Sequence, residues 1–259
     1  MSVLEALLLG LVQGITEFLP VSSSGHLAVI EHLWQLPAES RLPLTTMLHG
    51  ATALAVIFYF APLLARLIRG LWASDAARRS SSWRMAGLIA IASIPAGLTG
   101  VVFSDVIDRA FSSPLLVGLM LLVTGGVLFG TRFSQPQGGF GWFRALLLGF
   151  GQAIAILPGI SRSGATIASG LYLGMERERA FEFSFLLAIP AIIGAFLLKF
   201  RKLNLAVVSP PALAVGMVAA FLAGLAALFL LARAVAGRKL HWFAFYCWFA
   251  GLATIVFVR

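Results

Sequence analysis

The sequence predicts an all-α polytopic membrane protein built as an inverted-topology repeat. Each half is expected to hold one re-entrant helical segment plus three transmembrane helices. Three observations carry this. Of 259 residues, 60% are hydrophobic and 11% charged, more apolar surface than a soluble domain needs. At about 20 apolar residues per crossing, the chain has material for roughly six to eight passes. Two segments, 3–35 and 145–175, begin apolar, break at a proline into a Gly/Ser-rich run and then resume. Such irregular backbone at membrane depth must be buried in protein or line a wet cavity.

The uninterrupted apolar stretches fall at about 45–65, 85–103, 114–131, 181–198, 206–232 and 242–258, three after each broken segment. The two broken segments also resemble each other: 6-ALLLGLVQGITEFLPVSSSGH-26 against 145-ALLLGFGQAIAILPGISRSGAT-166. Ala6, Gly10 and Gln13 align with Ala145, Gly149 and Gln152 at an offset of 139, Pro20 with Pro158 at 138, and Gly25 with Gly164 again at 139. So many identities mark an internal repeat. Three spans between two re-entrant segments invert the second copy, with a site expected at the repeat interface near the midplane. The chain is thus read as one membrane domain, 1–259, with repeat one about 1–135 and repeat two about 140–259. The prolines of 93-SIPAG-97 and 188-AIPAI-192 are read as kinks within helices.

Charge gives the orientation. The net charge of +9 would suggest nucleic acid in a soluble protein, but here the basic residues lie in short loops, where orientation and lipid headgroups account for them. With the N-terminus outside, loops around 66–84, 132–144, 176–179 and 233–239 face the cytoplasm with twelve Lys/Arg. The outer segments carry six: Arg41, Arg109, Lys199, Arg201, Lys202 and Arg259. Cys247 is the single cysteine, which excludes an intrachain disulfide or a cysteine-based metal site; it is read as a small lipid-facing or packing residue. The start, MSVLEALLLG, carries Glu5 and no basic n-region, so no cleavable signal peptide is expected.

The chemistry concentrates in the two breaks. Gln13 and Glu17 are four apart and share a helix face; Pro20 ends that helix, and Ser22, Ser23, Ser24, Gly25 and His26 follow. An intramembrane carboxylate marks a functional site. The second break supplies Ser161, Arg162, Ser163 and Thr166. Hydroxyls and helix-start N–H groups beside an arginine form an anion cradle, and a planar guanidinium suits a pair of phosphate oxygens. Arg162 could alternatively serve only as a structural ion pair to Glu17. Together these groups fit phosphoryl transfer. Glu17 and His26 alone make a poor metal site, so Mg²⁺ or Ca²⁺ would be held partly by substrate oxygens and water.

These residues resemble the bacterial undecaprenyl-diphosphatase, or bacitracin-resistance, family of integral membrane phosphatases. The motifs are 13-QGITE-17 with 20-PVSSSGH-26, and 158-PGISRSGAT-166; 182-EFSFLLAIP-190 also looks like family sequence. The resemblance implies hydrolysis of a C55 isoprenyl diphosphate to the monophosphate, recycling the lipid carrier for peptidoglycan synthesis and giving bacitracin resistance. It implies residence in the bacterial cytoplasmic (inner) membrane, a site opening to the periplasmic or outer face, and a divalent cation. It makes Glu17 the essential acid, as metal ligand or proton acceptor, and Ser23 a nucleophile or substrate contact. His26 becomes the general acid/base or itself the nucleophile. Arg162 clamps the diphosphate, with Gln13, Ser22, Ser24, Ser161, Ser163 and Thr166 as further binding groups. Gln13 stands where the motif also takes Glu, removing one negative charge from the site. His49 is read as a packing or cavity-lining residue, and Glu31, His32 and His241 as interfacial. The expected partners are the isoprenyl diphosphate and membrane lipids, with no nucleic acid; a homodimer is left open.

Two other classes share some of these features. A lipid-phosphate or anion transporter would use the same inverted scaffold and arginine, but needs no nucleophile. An intramembrane serine protease could use Ser24 and His26, but leaves Arg162 without a role, and triads are set by geometry rather than adjacency.

Overall fold

The computed structural model describes residues 2–36, 38–111, 113–200, 203 and 207–258. Among these the regular structure is entirely helical. The first broken segment is α1 (Val3–Phe18) and α2 (Ser23–Leu33), and the second is α8 (Trp142–Ile154) and α9 (Arg162–Tyr172). Between them run α3 (Ala38–Tyr59), α4 (Ala61–Leu71), α5 (Ala76–Val102), α6 (Ser104–Phe111) and α7 (Pro114–Gly130). After them come α10 (Arg177–Phe200), α11 (Pro210–Ala236) and α12 (Phe243–Phe257). Six helices are long and apolar enough to cross a membrane: Glu39–Tyr59, Ala76–Val102, Pro114–Phe133, Arg177–Leu198, Pro210–Ala236 and Leu240–Phe257. They correspond one for one to the six expected stretches. Their outward faces leave Phe58, Val101 and Phe249 exposed, as an apolar solvent permits.

The bounds differ from the hydropathy reading for local reasons. The first stretch does not run on to residue 65, because Pro62 in the first turn of α4 has no N–H to continue the preceding helix; α3 stops and a separate α4 begins. α5 starts nine residues before its apolar run, since Asp75 accepts from the Arg78 N–H at 2.6 Å and caps it. α11 opens on Pro210 and Pro211, residues suited to a first turn. α5 and α10 continue through Pro95 and Pro190. Of the basic run 199–202, Arg201 and Lys202 lie outside the described residues, as does Arg259.

The packing crosses between the halves. α1 lies along α11 and α8 along α5, while α7 packs on α12 and α3 on both α10 and α11. Small residues permit the close approaches. A Cβ on Gly10 would strike the Gly216 carbonyl, and one on Gly149 the Ala92 carbonyl. Between apolar helices in lipid, such backbone contact replaces the hydrophobic drive available in water. The aromatic core centres on Phe18, Phe60, Phe181 and Phe185, between the site and α4.

Candidate active site

Both breaks are built alike. At the first, Ser22 is the N-cap of α2 and its Oγ accepts from the Gly25 N–H at 3.4 Å. At the second, Ser161 caps α9 and accepts from the Gly164 N–H at 3.1 Å. The first helical residues are therefore Ser23 and Arg162. The one-residue shift in the repeat has a conformational cause. In the second break Gly159 takes the positive φ of +92° and Ser161 stays extended. The first break has no glycine there, and Ser22 itself adopts φ +68°. That conformation is sparsely populated for a residue with a Cβ.

The two turns interlock. The position of a Cβ on Gly164 would lie 3.1 Å from Pro20 Cβ, and one on Gly25 would lie 3.4 Å from Gly159 Cα. α2 and α9 thus begin side by side, and two helix starts face one region.

Glu17 stands at that point, 7% exposed. Its Oε1 accepts from Arg162 Nη2. Its Oε2 accepts from Ser23 Oγ at 2.5 Å and from Gln13 Nε2 at 3.1 Å, with His49 Nε2 at 3.6 Å. Gln13 must present its NH₂ to a carboxylate, which can only accept. This turns Gln13 Oε1 away, buried and with no hydrogen-bond partner. The Arg162 side chain is 26% exposed, and Glu17 is its only hydrogen-bond partner among the described residues. Its remaining N–H groups are open to a ligand.

The other expected site residues divide. Ser24 Oγ lies 3.3 Å from Ser22 Oγ, and Ser163 Oγ lies 3.2 Å from Ser161 Oγ, so both stay in the first turns. Thr166 is one turn further: it donates to the Arg162 carbonyl at 2.8 Å and touches Ser184 Oγ of α10. That contact ties α9 to α10. His26 is not hydrogen-bonded to Glu17 or Arg162. Its Nδ1–H donates to the Ser22 carbonyl at 2.8 Å, and this tautomer leaves Nε2 to accept from Tyr246 O–H at 2.7 Å. The two rings are stacked, 5.6 Å apart and 9° from parallel.

Residues 6–253 match the family described as bacitracin resistance protein BacA. The chain belongs to this family. It is similar along its length to proteins named undecaprenyl-diphosphatase. That of Desulfatibacillum aliphaticivorans is 42% identical, with 98% of each chain covered. That of Alkaliphilus metalliredigens is 38% identical over 99% of each. That of Thermotoga maritima is 39% identical over 95% of this chain and 97% of its own.

In this member of the BacA family five further residues support the site. His49, read from sequence as packing or cavity-lining, faces Glu17, and Thr52, about one turn on, meets Gln13 Nε2 at 3.5 Å; a histidine inside an apolar run was the available signal. Thr124 on α7 donates to the Gly159 carbonyl at 3.0 Å and accepts from the Ser161 N–H at 3.3 Å, pinning the second turn. Ser184 lies within 182-EFSFLLAIP-190, whose family-like sequence carried no role for it, and Tyr246 sits in an apolar run that offers no marker. Cys247 is buried, with Sγ 3.5 Å from the Pro20 carbonyl, so of its two expected roles packing is the one it fills.

Proposed function

We propose that the protein is a membrane-embedded undecaprenyl-diphosphatase and that Glu17, Ser23 and Arg162 carry its chemistry. The observation behind this reading is that one buried carboxylate accepts from both a hydroxyl and a guanidinium at the start of two helices. A serine hydrogen-bonded to a carboxylate is an activatable nucleophile. The open N–H groups of the guanidinium, with the two helix starts, neutralise the charge that dominates phosphoryl transfer.

In this reading Ser23 Oγ attacks the terminal phosphorus while its proton passes to Glu17. The bond to the bridging oxygen breaks, and the electron pair leaves on the prenyl monophosphate. Water then attacks the phosphoserine, Glu17 returns the proton to Ser23, and the remaining water hydrogens stay with the released phosphate. Arg162 holds the transferring group throughout. His26, with Nε2 engaged by Tyr246, orients the first turn of α2.

A divalent cation fits this donor set in part. The Glu17 carboxylate is a hard oxygen ligand, and Gln13, whose Oε1 has no hydrogen-bond partner and is turned away from Glu17, would supply a second only if its amide turned over; diphosphate oxygens and water would complete the shell. Among the described residues no group of three or more His, Cys, Asp or Glu could hold a metal unaided. When bound, the cation would neutralise diphosphate charge.

We also infer that the halves, about 1–135 and 140–259, are inverted copies. The crossed pairing of α1 with α11 and α8 with α5 supports this, as does the Pro20–Gly164 contact matched by that of Gly25 with Gly159. The chain would lie in the bacterial cytoplasmic membrane with its site open to the outer face, leaving the prenyl tail in lipid. Phosphate release from undecaprenyl diphosphate by purified protein, with and without chelator, tests the function. Release that stops in Glu17→Ala supports it; release unaffected by that substitution removes Glu17 from the chemistry.

A further inference from the structure

A second cluster of arginines lies far from Glu17. α9 carries the chain about 15 Å from Arg162 to Tyr172, at roughly 1.5 Å per residue. Beyond its end a cavity of about 500 Å³ is lined by Arg132, Phe133, Ser134, Arg177, Arg238 and His241. The arginines come from three separate places: the 3₁₀ turn after α7, the first residue of α10, and the turn that follows α11.

Loop arginines usually only orient a membrane protein, and each then sits in water or on a carboxylate. Here no carboxylate lines the cavity. Glu176 is paired with Arg179 at 3.1 Å, and Glu178 lines a different cavity, with Arg66. Arg132, Arg177 and Arg238 have no ion-pair or hydrogen-bond partner among the described residues, and the charges of Arg177 and Arg238 act on each other. Arg132 is held over the rings of Phe129 and Phe133, at 5.2 and 5.1 Å. Arg238 takes a φ of +58° just after the helix, a position that favours glycine or asparagine. His241 Nδ1 is buried without a hydrogen-bond partner.

Arg132 and Arg238 are exposed and Arg177 is half-buried, so water screens these three like charges in part, and an anion bound among them would relieve the repulsion that is left. We propose that this cavity is a second anion site, which binds a phosphate group through Arg132, Arg177 and Arg238. The planar guanidinium forks suit phosphate oxygens, His241 and Ser134 add polar contacts, and the volume suits a headgroup-sized ligand. The phosphate could belong to an anionic lipid or to a free phosphate compound. The inference does not depend on the activity assigned to Glu17.

The test uses full-length protein carrying Arg162→Ala, so that the first site does not bind the probe. Equilibrium dialysis with labelled inorganic phosphate, in zwitterionic detergent, should show one saturable site, weakened about tenfold or more by Arg177→Gln with Arg238→Gln. A lipid headgroup site would instead show weak phosphate binding. Native mass spectrometry would then find phosphatidylglycerol, taken from phosphatidylcholine nanodiscs containing it, retained by the parent and lost by the variant. Equal binding of both probes by parent and variant, or no binding by the parent, overturns the proposal. Should the double variant fail to fold, Arg132→Gln alone must weaken whichever probe the parent binds, and unchanged binding overturns the proposal equally.

Discussion

Ser23 and Arg162 occupy the same place, the first residue of a helix, in two separate breaks of the chain, and each donates to a different oxygen of Glu17. The two breaks thus give one carboxylate two different partners, a hydroxyl and a cation; in the proposed chemistry the first reacts and the second holds phosphate. Arg162→Ala should lower phosphate release by about 10²–10³-fold, the usual cost of removing one charge-stabilising donor. Arg162→Lys should recover little, since a point charge does not reproduce the fork. Steady-state assays check both; full recovery by lysine would reduce the role to charge neutralisation.

Ser22 pairs a useful side chain with an unfavourable backbone. As N-cap it accepts from Gly25, yet its φ is +68°. Ser22→Ala loses the cap, worth about 1 kcal/mol, and keeps the strain. Ser22→Gly loses only a few tenths at the cap and relieves the φ. Thermal unfolding in detergent should therefore rank glycine above alanine. The reverse order would mean that the Ser22 turn is unstrained.

Gly10 and Gly149 are equivalent in the repeat and each meets a backbone carbonyl of the opposite half. Leucine at either position must force α1 from α11 or α8 from α5, at about 1–3 kcal/mol or more. Both variants should lose monodisperse protein on size-exclusion chromatography. Tolerance at one position alone would show that the two interfaces differ.

Tyr246 should act through His26. Tyr246→Phe keeps the stacked ring but removes the O–H that Nε2 accepts. In ¹⁵N-histidine NMR the His26 signals, assigned with a His26→Gln variant, should shift in this variant, and kcat should fall more than KM changes. Unaltered His26 signals would exclude the hydrogen bond from the working protein.

The breaks and spans were legible because proline, glycine and long apolar runs act through local backbone chemistry. The pairing of Gln13 with Glu17 was legible from helix periodicity. The approach of Arg162 to Glu17 was one of two sequence readings for that arginine, and the fold brings the pair together. His26 was legible in part. The resemblance gave it an acid/base or nucleophile role; its ring is held by the nearby Ser22 carbonyl and by Tyr246, more than two hundred residues away, and only the second contact was hidden from sequence. Thr166 likewise turns to Ser184 because α10 happens to pass beside it. The start of α4 could have been read from Pro62, but hydropathy averaging hid it.

The most direct measurement is acid quenching of the purified protein during turnover of prenyl diphosphate labelled in its terminal phosphate, followed by peptide mapping. Label is expected on the peptide containing Ser23, absent in Ser23→Ala, with release lost in the same variant. Turnover that leaves Ser23 unlabelled, together with a Ser23→Ala variant that still releases phosphate at the normal rate, would contradict it.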